Sequence, residues 1–357
     1  MRIVHLINSL ATGGAENLVV NMAAAMRDQG HDVRIVTLGP NDGVPLVRAQ
    51  GLRLNVRSVG RSPRDLTSLF RLRSEVRDAD IVHVHLFPSL YLGALWRSGS
   101  LVYTEHSTSN RRRGSRVFRL LDRVVYRRYD SVVAISEGVR SELSSHFGQI
   151  SVERPIDLVP NGIGQEFFEG SPRRERRESS HLRLIAVGTL DDRKNFAVAV
   201  EAMALLPGLE LDIVGDGPLR SDLERQIDRL GIGDRVRLLG RRSDVRDVLC
   251  EHDALLSTSR FEGFSLVAAE ALALGLPVIG PDVPGFSDSV LDDETGLLFD
   301  PSSRGDRSLV ATVRRLQADP ALYERLSARA VIDAERFRIS STVERYLSLY
   351  MQVRAAL

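Results

Sequence analysis

Lysine and cysteine are nearly missing from this chain, which has one of each, Lys194 and Cys250, in 357 residues. One cysteine excludes an intrachain disulfide, so the fold depends on buried apolar side chains, and a reducing compartment fits this composition. No stretch reaches the roughly 18 uncharged apolar residues of a membrane span. The N-terminal apolar run is too short for a signal peptide and is typical of a first β-strand. These absences predict a soluble, cytoplasmic protein.

A surplus of charge of one sign is also missing. The 48 Lys plus Arg residues almost balance the 47 Asp plus Glu residues, and the formal charge is +1. A dedicated nucleic-acid-binding protein usually carries a basic surplus, so we do not expect nucleic acid as a partner. Hydrophobic residues make up 43% of the chain, as in ordinary globular proteins. At roughly 150 residues per domain, the length predicts two domains.

Short β-branched runs alternate with amphipathic segments along the chain, which is typical of βαβ units with parallel sheets. Strands are predicted at 3–7, 33–37, 81–84, 101–104 and 131–135, and again at 182–187, 211–214, 236–239, 254–257 and 277–279. Helices are predicted at 17–29 and 66–77, among others. The predicted fold class is α/β, with two Rossmann-like doubly wound domains that face a central cleft, and with C-terminal helices.

The domain boundary is predicted from residues 170–181, which are charged or small and lack apolar side chains. Such a segment cannot form a core and indicates a solvated linker. We therefore predict an N-terminal domain at 1–165, a linker at 166–181 and a second domain at 182–335. Apolar side chains at helical spacing predict a terminal helix within 336–357 that packs back on the first domain.

A glycine-containing turn follows the first strand of each predicted domain. Gly13 and Gly14 precede a helix whose free amides favour an anion, although the G-x-G-x-x-G spacing of a dinucleotide site is absent. A plain strand-to-helix turn is the alternative. In the second domain, Gly188 ends a strand and Lys194 enters the next helix. Lys194 is either an ordinary surface lysine or, in a chain that otherwise uses arginine, a compact charge placed on a phosphate.

The strongest pattern is a strand, a turn that contains Glu262, and an apolar helix that contains Glu270. Eight residues span a little over two helical turns, which places both carboxylates near one azimuth. A carboxylate among alanine and leucine residues is costly unless it is paired or bonds a ligand. The pattern therefore predicts a ligand site at the two glutamates, with a structural pair between Glu270 and a buried arginine as the alternative.

With these motifs the sequence resembles the group 1 glycosyltransferases, also called glycosyltransferase family 4, which have the GT-B fold. The glutamate pair at E-x7-E spacing is the specific motif, and the short glycine motifs are weak individually. The other matching motifs are Gly13-Gly14-Ala15-Glu16, Thr104-Glu105-His106, Ala134-Ile135-Ser136-Glu137, Val159-Pro160-Asn161-Gly162, Gly188 to Asn195, Val214 to Pro218, Leu239-Gly240 and Thr295 to Phe299.

The resemblance implies a retaining, metal-independent, hexosyltransferase-type enzyme without a cofactor, which moves a sugar from a nucleotide-diphosphate sugar to a hydroxyl acceptor. The donor would bind mainly to residues 182–300 and the acceptor to the N-terminal domain. Glu262 would lie beside the donor sugar, Lys194 would neutralise the diphosphate as the glycosidic bond breaks, and His106 would approach a sugar hydroxyl. Glu270 would bond the ribose. The remaining implied donor-binding residues are Gly14, Thr189, Arg193, Arg241, Phe264, Ser265 and Leu266. Among these, the backbone amides around Phe264 to Leu266 would meet a phosphate at the helix N-terminus.

One position departs from the family pattern. The family usually has Gly-Arg-Leu ahead of the lysine, and that arginine touches the diphosphate, whereas this chain has Thr189 there. Arg193 and Arg260 are both candidates for the missing cation. We expect a role in polysaccharide, lipid-linked glycan or other glycoconjugate biosynthesis. The alternatives are a UDP-sugar 2-epimerase on the same double fold and a non-catalytic sugar-nucleotide-binding protein.

Residues 111–128 are basic, with Asp122 as the only acid. Arginines at helical spacing are predicted to share one face, and apolar side chains another. The arginines are 112, 116, 119, 123 and 127, and the apolar residues are 118, 121 and 125. A solvated helix face is one interpretation. The other is contact with an anionic bilayer or a lipid-linked acceptor, at about 1 kcal/mol per cation, which would place the protein at the inner face of the membrane.

Two patterns that bind metal in other proteins are also present. His83 and His85 share a strand face, but no cysteine or carboxylate stands at ligand spacing, so no metal site is predicted. Asp78-Ala79-Asp80 has a D-x-D pattern but precedes a strand, which favours a role at a helix end. No G-x-S-x-G, H-E-x-x-H or P-loop pattern occurs, which disfavours hydrolases, zinc proteases and P-loop NTPases.

Overall fold

The computed structural model describes residues 1–11, 13–39, 41–60, 68–170, 181–302 and 306–356. The chain divides into two compact units, one of Met1–Gly164 with Phe337–Leu357 and one of Gln165–Arg336. Residues 171–180 of the predicted linker lie outside the described residues. The residues just before them belong to the second unit, where Arg246 donates hydrogen bonds to the carbonyl oxygens of Glu166 at 2.8 Å and Glu169 at 2.6 Å.

Strands and helices alternate through both units, as the hydrophobic pattern predicts. The strands are β1 (Arg2–Ile7), β2 (Asp32–Thr37), β3 (Asn55–Ser58), β4 (Ile81–His85), β5 (Ser100–Glu105), β6 (Ser131–Ala134), β7 (Asp157–Leu158), β8 (Arg183–Val187), β9 (Glu210–Val214), β10 (Val236–Gly240), β11 (Ala254–Leu256), β12 (Val278–Pro281) and β13 (Gly296–Phe299). The helices are α1 (Gly14–Asp28), α2 (Val44–Gly51), α3 (Ser68–Val76), α4 (Ser89–Gly93), α5 (Arg116–Tyr126), α6 (Glu137–Ile150), α7 (Phe196–Ala204), α8 (Arg220–Leu230), α9 (Val245–Cys250), α10 (Leu266–Ala273), α11 (Asp306–Ala318), α12 (Pro320–Ala334) and α13 (Ile339–Ala355).

The first unit is built on a parallel sheet with the strand order β3-β2-β1-β4-β5-β6-β7. Strand order runs outward in both directions from the β1–β4 pair, in which His5 lies opposite His83. In such sheets, ligands bind at the carboxyl ends of the strands beside this switch point. The loops after β1, β4 and β5 therefore mark the region of the first unit where a ligand site is expected.

The C-terminal helix α13 packs within the first unit. Its apolar side chains, including Val343 and Tyr346, are buried in one core cluster with residues of β1 and α1. Tyr350 Oη lies 2.6 Å from His83 Nδ1, and Tyr346 Oη lies 3.0 Å from Thr104 Oγ1. The last helix of the chain therefore completes the core on one face of the first sheet.

The second unit has a parallel sheet with the order β10-β9-β8-β11-β12-β13, so β8 and β11 form its switch point. Its core joins the buried faces of these strands to α7, α8, α11 and α12. Each unit is therefore a doubly wound α/β fold, which confirms the predicted class of two Rossmann-like domains with C-terminal helices.

Several local predictions need correction. The sequence patterns missed β3, β7 and β13, which are edge strands of only two to four residues and too short to show a clear alternating pattern. The helix predicted at 66–77 is α3, and residues 66 and 67 lie outside the described residues. The basic stretch is not one helix, because a 3₁₀ turn at Arg111–Gly114 precedes α5. Among the described residues, no helix is long and apolar enough to cross a bilayer.

Candidate functional site

In the second unit, two loops from adjacent parallel strands bring the predicted catalytic lysine and glutamate together. Lys194 follows β8, Glu262 follows β11, and β8 pairs directly with β11. Lys194 Nζ lies 2.5 Å from Glu262 Oε1, and the two side chains are 23% and 13% exposed. The carboxyl edge of the second sheet therefore holds a charged pair that a ligand can still reach.

Three glycines allow the loop after β8 to hold Lys194 in this position. A Cβ at Gly188 would lie 2.9 Å from Lys194 Cε, so the absent side chain leaves room for the lysine stem. A Cβ at Gly215 would overlap the carbonyl oxygen of Gly188, and one at Gly217 would lie 2.6 Å from Leu190 O. The close approach of the loops after β8 and β9 therefore requires glycine at these positions.

Glu262 is positioned by two residues, Ser259 and Gly285, that the sequence motifs do not single out. Ser259 Oγ donates a 2.7 Å hydrogen bond to Glu262 Oε1. Gly285 has φ +84°, and a Cβ there would collide with the carbonyl oxygen of Glu262 and lie 2.9 Å from that of Gly263. A signal for Gly285 exists in the Pro284-Gly285 dipeptide, which marks a turn, but nothing in the sequence places that turn against Glu262.

The two candidates for the missing cation have different partners. The Arg193 guanidinium donates to Asp191 Oδ2 through Nε at 2.9 Å and Nη2 at 2.6 Å, so its charge is already paired. Arg260 Nη2 donates to the neutral amide oxygen of Asn195 at 3.1 Å. The backbone joins the two loops, since Arg260 N donates to Arg193 O at 2.8 Å. Of the two, Arg260 is the arginine without a carboxylate partner among the described residues.

The N-terminus of α10 follows Glu262 directly. Ser265 is its N-cap, and the Ser265 hydroxyl accepts a hydrogen bond from Ala268 N at 3.4 Å. The Ser265 amide donates to Ser289 Oγ at 3.3 Å, so this amide, which was expected to meet a phosphate, already has a partner. Leu266 begins the helix, and Phe264 packs in the interior beside it. Of the predicted phosphate-binding positions, Leu266 is therefore the one that carries the first backbone amide of the helix.

The remaining donor-binding predictions of the second unit lie on or near the same edge. Glu270 is on α10 and is half-buried between fully buried alanines. Thr189 lies two residues after Val187, the last residue of β8, and Arg241 directly follows β10. Both side chains are exposed. Their positions at carboxyl ends of parallel strands agree with a ligand-binding edge.

Gly14 and His106 lie in the first unit. Gly14 is the first residue of α1 and is exposed, and Gly13 is the N-cap. A Cβ at Gly13 would collide with the Glu16 carboxylate, so Glu16 occupies the space beside this helix N-terminus. Burial raises the pKa of Glu16 above its ordinary value. An anionic ligand near Gly14 would therefore meet free amides together with a carboxyl group that accepts a proton more readily than usual.

His106 ends a chain of three imidazoles. His106 Nε2 lies 3.1 Å from His85 Nδ1, and His85 Nε2 lies 3.2 Å from His5 Nδ1. The outer nitrogens, His106 Nδ1 and His5 Nε2, are buried without a hydrogen-bond partner among the described residues. Burial lowers the pKa of His106 to about 4 and that of His5 to about 3, so both imidazoles are neutral at pH 7. In a neutral chain, the tautomer of each ring determines that of the next.

The nitrogens of His5, His83 and His85 lie within 4.8 Å of one another, so the structure adds a third imidazole to the pair seen in the sequence. His83 bonds Tyr350 on one side and Thr104 Oγ1, 2.7 Å away, on the other. Both ring nitrogens of His83 are thus bonded by neighbouring side chains. Asp80 accepts a 2.7 Å hydrogen bond from Arg2 N at the amino end of β1, opposite the edge where Gly14 and His106 lie.

Two family models match the chain in succession. The model for Glycosyltransferase Family 4 matches residues 12–167, and the model for Glycosyl transferases group 1 matches residues 169–331. The models divide the chain close to residue 165, where the two units also separate.

Two relatives agree with the family models. The chain is 34% identical over 237 residues to the lipopolysaccharide core biosynthesis glycosyltransferase LpsD of Rhizobium meliloti. The matched region covers 66% of this chain and 68% of that protein. It is 27% identical over 367 residues to the N-acetyl-alpha-D-glucosaminyl L-malate synthase of Bacillus anthracis, covering 96% of this chain and 95% of that protein.

The fold also matches solved structures. The crystal structure of Anabaena Alr3699/HepE in complex with UDP and glucose superposes with a TM-score of 0.85 at 20% identity, covering 99% of this chain and 100% of that one. Sucrose-phosphate synthase from Thermosynechococcus elongatus superposes with a TM-score of 0.80 at 21% identity over the full length of both chains.

Proposed function

The chain belongs to the group 1 glycosyltransferases, and from this premise we propose that it transfers a sugar from a nucleotide-diphosphate sugar to a hydroxyl acceptor with retention of configuration and without a metal ion. UDP is the proposed nucleotide, because HepE, which shares the fold, is described in complex with UDP and glucose. A glycoconjugate is the proposed acceptor, because LpsD acts in lipopolysaccharide core biosynthesis.

The pair of Lys194 and Glu262 supports this proposal most directly. A nucleotide-diphosphate sugar presents a diphosphate beside sugar hydroxyls, and the pair presents an ammonium beside a carboxylate. In the proposed complex, a diphosphate oxygen becomes a further partner of Lys194, and the sugar hydroxyls donate to Glu262. Charge on the diphosphate increases as the glycosidic bond breaks, so Lys194 stabilises the transition state more than the bound donor.

We propose Arg260 as the second cation at the diphosphate. Its guanidinium bonds only a neutral amide among the described residues, whereas the Arg193 guanidinium is held in two hydrogen bonds by Asp191. Moving Arg193 to a phosphate would first break a charge-assisted pair. Arg260 can turn to a ligand at lower cost.

The proposed retention is a substitution on one face of the sugar, without a double displacement. The Glu262 carboxylate is bonded by both Lys194 and Ser259, which makes it a weak nucleophile. We therefore propose a reaction without a glycosyl-enzyme intermediate, in which the acceptor hydroxyl attacks from the same face as the leaving diphosphate. The bond from the anomeric carbon to the acceptor oxygen forms as the bond to the diphosphate oxygen breaks, and the hydroxyl proton passes to that diphosphate oxygen. Neutral His106 supplies one hydrogen bond to a sugar hydroxyl and adds no positive charge at pH 7.

The proposal is tested first by a thermal-shift screen against nucleotide sugars that differ in base and in sugar, because a bound donor stabilises the folded chain by mass action. The donor that gives the largest shift is then incubated with simple glycoside and polyol acceptors, with and without EDTA. NMR of the product determines the anomeric configuration. An inverted product contradicts retention, and loss of turnover in EDTA contradicts metal independence.

Two alternatives have different outcomes in the same assay. A 2-epimerase converts the donor to an isomeric sugar without any acceptor, so product from donor alone supports it. A non-catalytic binding protein shows a thermal shift with nucleotide but no product under any condition, and Glu262→Ala leaves its nucleotide affinity unchanged.

A further inference from the structure

Helix α5 (Arg116–Tyr126) exposes an apolar stripe to solvent. Val117, Leu120, Leu121 and Val124 occur at the i, i+3, i+4 and i+7 spacing of one helix face. Their exposed fractions are 67%, 66%, 45% and 58%. Apolar residues at this spacing normally face a core, yet here the core lies on the opposite side of the helix. The stripe is therefore an unpartnered surface of the first unit.

A buried polar network holds the opposite face of α5. Asp122 is fully buried and accepts hydrogen bonds from Arg112 Nη1 and Tyr91 Oη, each at 2.5 Å. His146 Nε2 of α6 lies 2.7 Å from the other oxygen of Asp122. Rotating α5 to bury its apolar stripe would break this network and leave the charge of Asp122 without its partners. The stripe is thus held outward by the fold.

The network also corrects the predicted basic face. Arg112 was expected on it, but Arg112 is buried in the ion pair with Asp122. The arginines that do border the stripe are Arg116, Arg119 and Arg123, which follow one another at helical spacing beside it. None of these three forms a side-chain hydrogen bond or ion pair with any of the described residues. Since Asp122 is the only acid between residues 111 and 128 and is buried, the outer face of α5 is cationic and apolar.

We propose that α5 docks on an anionic phospholipid bilayer, with its apolar stripe in the headgroup–acyl boundary and its three arginines at lipid phosphates. Helices that lie in a membrane interface combine an apolar face with a row of cations in this way. The positive charge of the helix favours an anionic partner. Lipid phosphates would pair with Arg116, Arg119 and Arg123, which have no carboxylate partners among the described residues. An apolar protein surface would cover the four aliphatic side chains but leave these guanidinium groups without partners.

The docking helix belongs to the first unit, in which the acceptor was predicted to bind. Docking through α5 would hold this unit at the surface where a lipid-linked acceptor resides, and would raise the local acceptor concentration without adding a contact to the reacting groups. Binding to the bilayer does not depend on the transferase reaction, so it can be tested without a known donor.

The test is flotation of the full chain with vesicles of phosphatidylcholine alone or mixed with phosphatidylglycerol, at low and high salt. The wild-type chain is expected to float with the anionic vesicles and to be released by salt. Arg116→Gln/Arg119→Gln/Arg123→Gln should weaken binding by roughly fivefold per arginine, about 100-fold for the three. Leu120→Ser/Leu121→Ser should weaken it by about tenfold.

Matched controls alter exposed residues of the same types elsewhere. Leu205→Ser/Ile332→Ser changes two exposed apolar side chains of the second unit, and Arg225→Gln/Arg229→Gln/Arg345→Gln removes three exposed arginines. Both controls should float like the wild type, and circular dichroism should show native folding in every variant.

Three results would overturn the proposal. The first is a wild-type chain that does not float with anionic vesicles, and the second is equal binding to neutral vesicles. The third is a leucine variant that changes the oligomeric state in light scattering while vesicle binding is unaffected, because the stripe would then be a protein interface.

Discussion

Lys194 Nζ and Glu262 Oε1 lie 2.5 Å apart, although 68 residues separate them in the chain. The two residues come from loops after β8 and β11, which are neighbours in the second sheet. Both are partly exposed, so the attraction between them is reduced by solvent and an incoming ligand can exchange with either partner.

Replacing the single lysine tests its proposed role at the diphosphate. We expect Lys194→Ala to lower kcat by about 100- to 1,000-fold, comparable to losing one transition-state hydrogen-bond donor, or roughly 2.7–4 kcal/mol. Lys194→Arg should recover part of the activity, because the guanidinium keeps the charge but spreads it over a larger fork. Steady-state kinetics with the donor found by screening measure both effects. Arg225→Ala, an exposed cation of α8, is the control, and unchanged turnover in Lys194→Ala would exclude the role.

Glu262→Gln separates binding of the nucleotide from binding of the sugar. The substitution removes the carboxylate that competes with a diphosphate for Lys194, so we expect UDP alone to bind at least as tightly as in the wild type. Transfer should fall by about 10- to 100-fold, because a charged hydrogen-bond partner of the sugar is lost. Calorimetry with UDP and turnover with the donor give the two quantities. A parallel loss of UDP affinity would show that Glu262 serves the nucleotide.

Gly285→Ala tests whether the Glu262 loop depends on close backbone packing. Gly285 has φ +84°, and a Cβ there would meet the carbonyl oxygens of Glu262 and Gly263. Gly231 at the end of α8 also has a positive φ, +66°, but a Cβ there would meet nothing within 4 Å. Both alanine variants should lose about 1–2 kcal/mol of stability from the left-handed backbone. Only Gly285→Ala should also lose activity, and equal activity in the two variants would contradict the packing argument.

The buried histidines predict a loss of stability on mild acidification. Burial lowers the pKa of His5 to about 3 and that of His106 to about 4, from 6.5, and places those of His83 and His85 well below 6.5. Between pH 6.5 and about 4, these histidines bind protons in the unfolded chain but not in the folded chain. Their contribution to the free energy of unfolding is therefore complete above about pH 6.5 and decreases as the pH falls. For His106 the loss amounts to about 3 kcal/mol at most.

Thermal melting between pH 7 and 4 measures this dependence. His106→Asn should flatten the part of the curve that His106 contributes, while the raised pKa of Glu16 opposes the trend only in part. A melting temperature that stays constant from pH 7 to 5 would show that the imidazoles are not held neutral by burial.

Much of the fold was predictable because its determinants are local. The β-branched runs of β1, β2, β8 and β9 alternate with amphipathic helices, and this alternation can be read from the hydrophobic pattern of neighbouring residues. The edge strands β3 and β7 escaped prediction, because β3 is mostly exposed and β7 is two residues long. The basic stretch shows the limit most clearly: its helical spacing was visible, but spacing alone does not show which face meets the core.

The sequence by itself determined the α/β class, the resemblance to the group 1 glycosyltransferases and the candidates Lys194 and Glu262, since all of these depend on residue type and short-range spacing. Only the tertiary structure decided that Lys194 pairs with Glu262, that Gly285 supports the glutamate loop, that His106 joins His85 and His5, and that α5 turns aliphatic side chains to solvent. Each of these contacts joins residues distant in the chain or depends on the face that a helix buries. These contacts are therefore determined by the order of the strands in each sheet and by the face of each helix that packs on the core. Neither property can be read from a short segment of sequence.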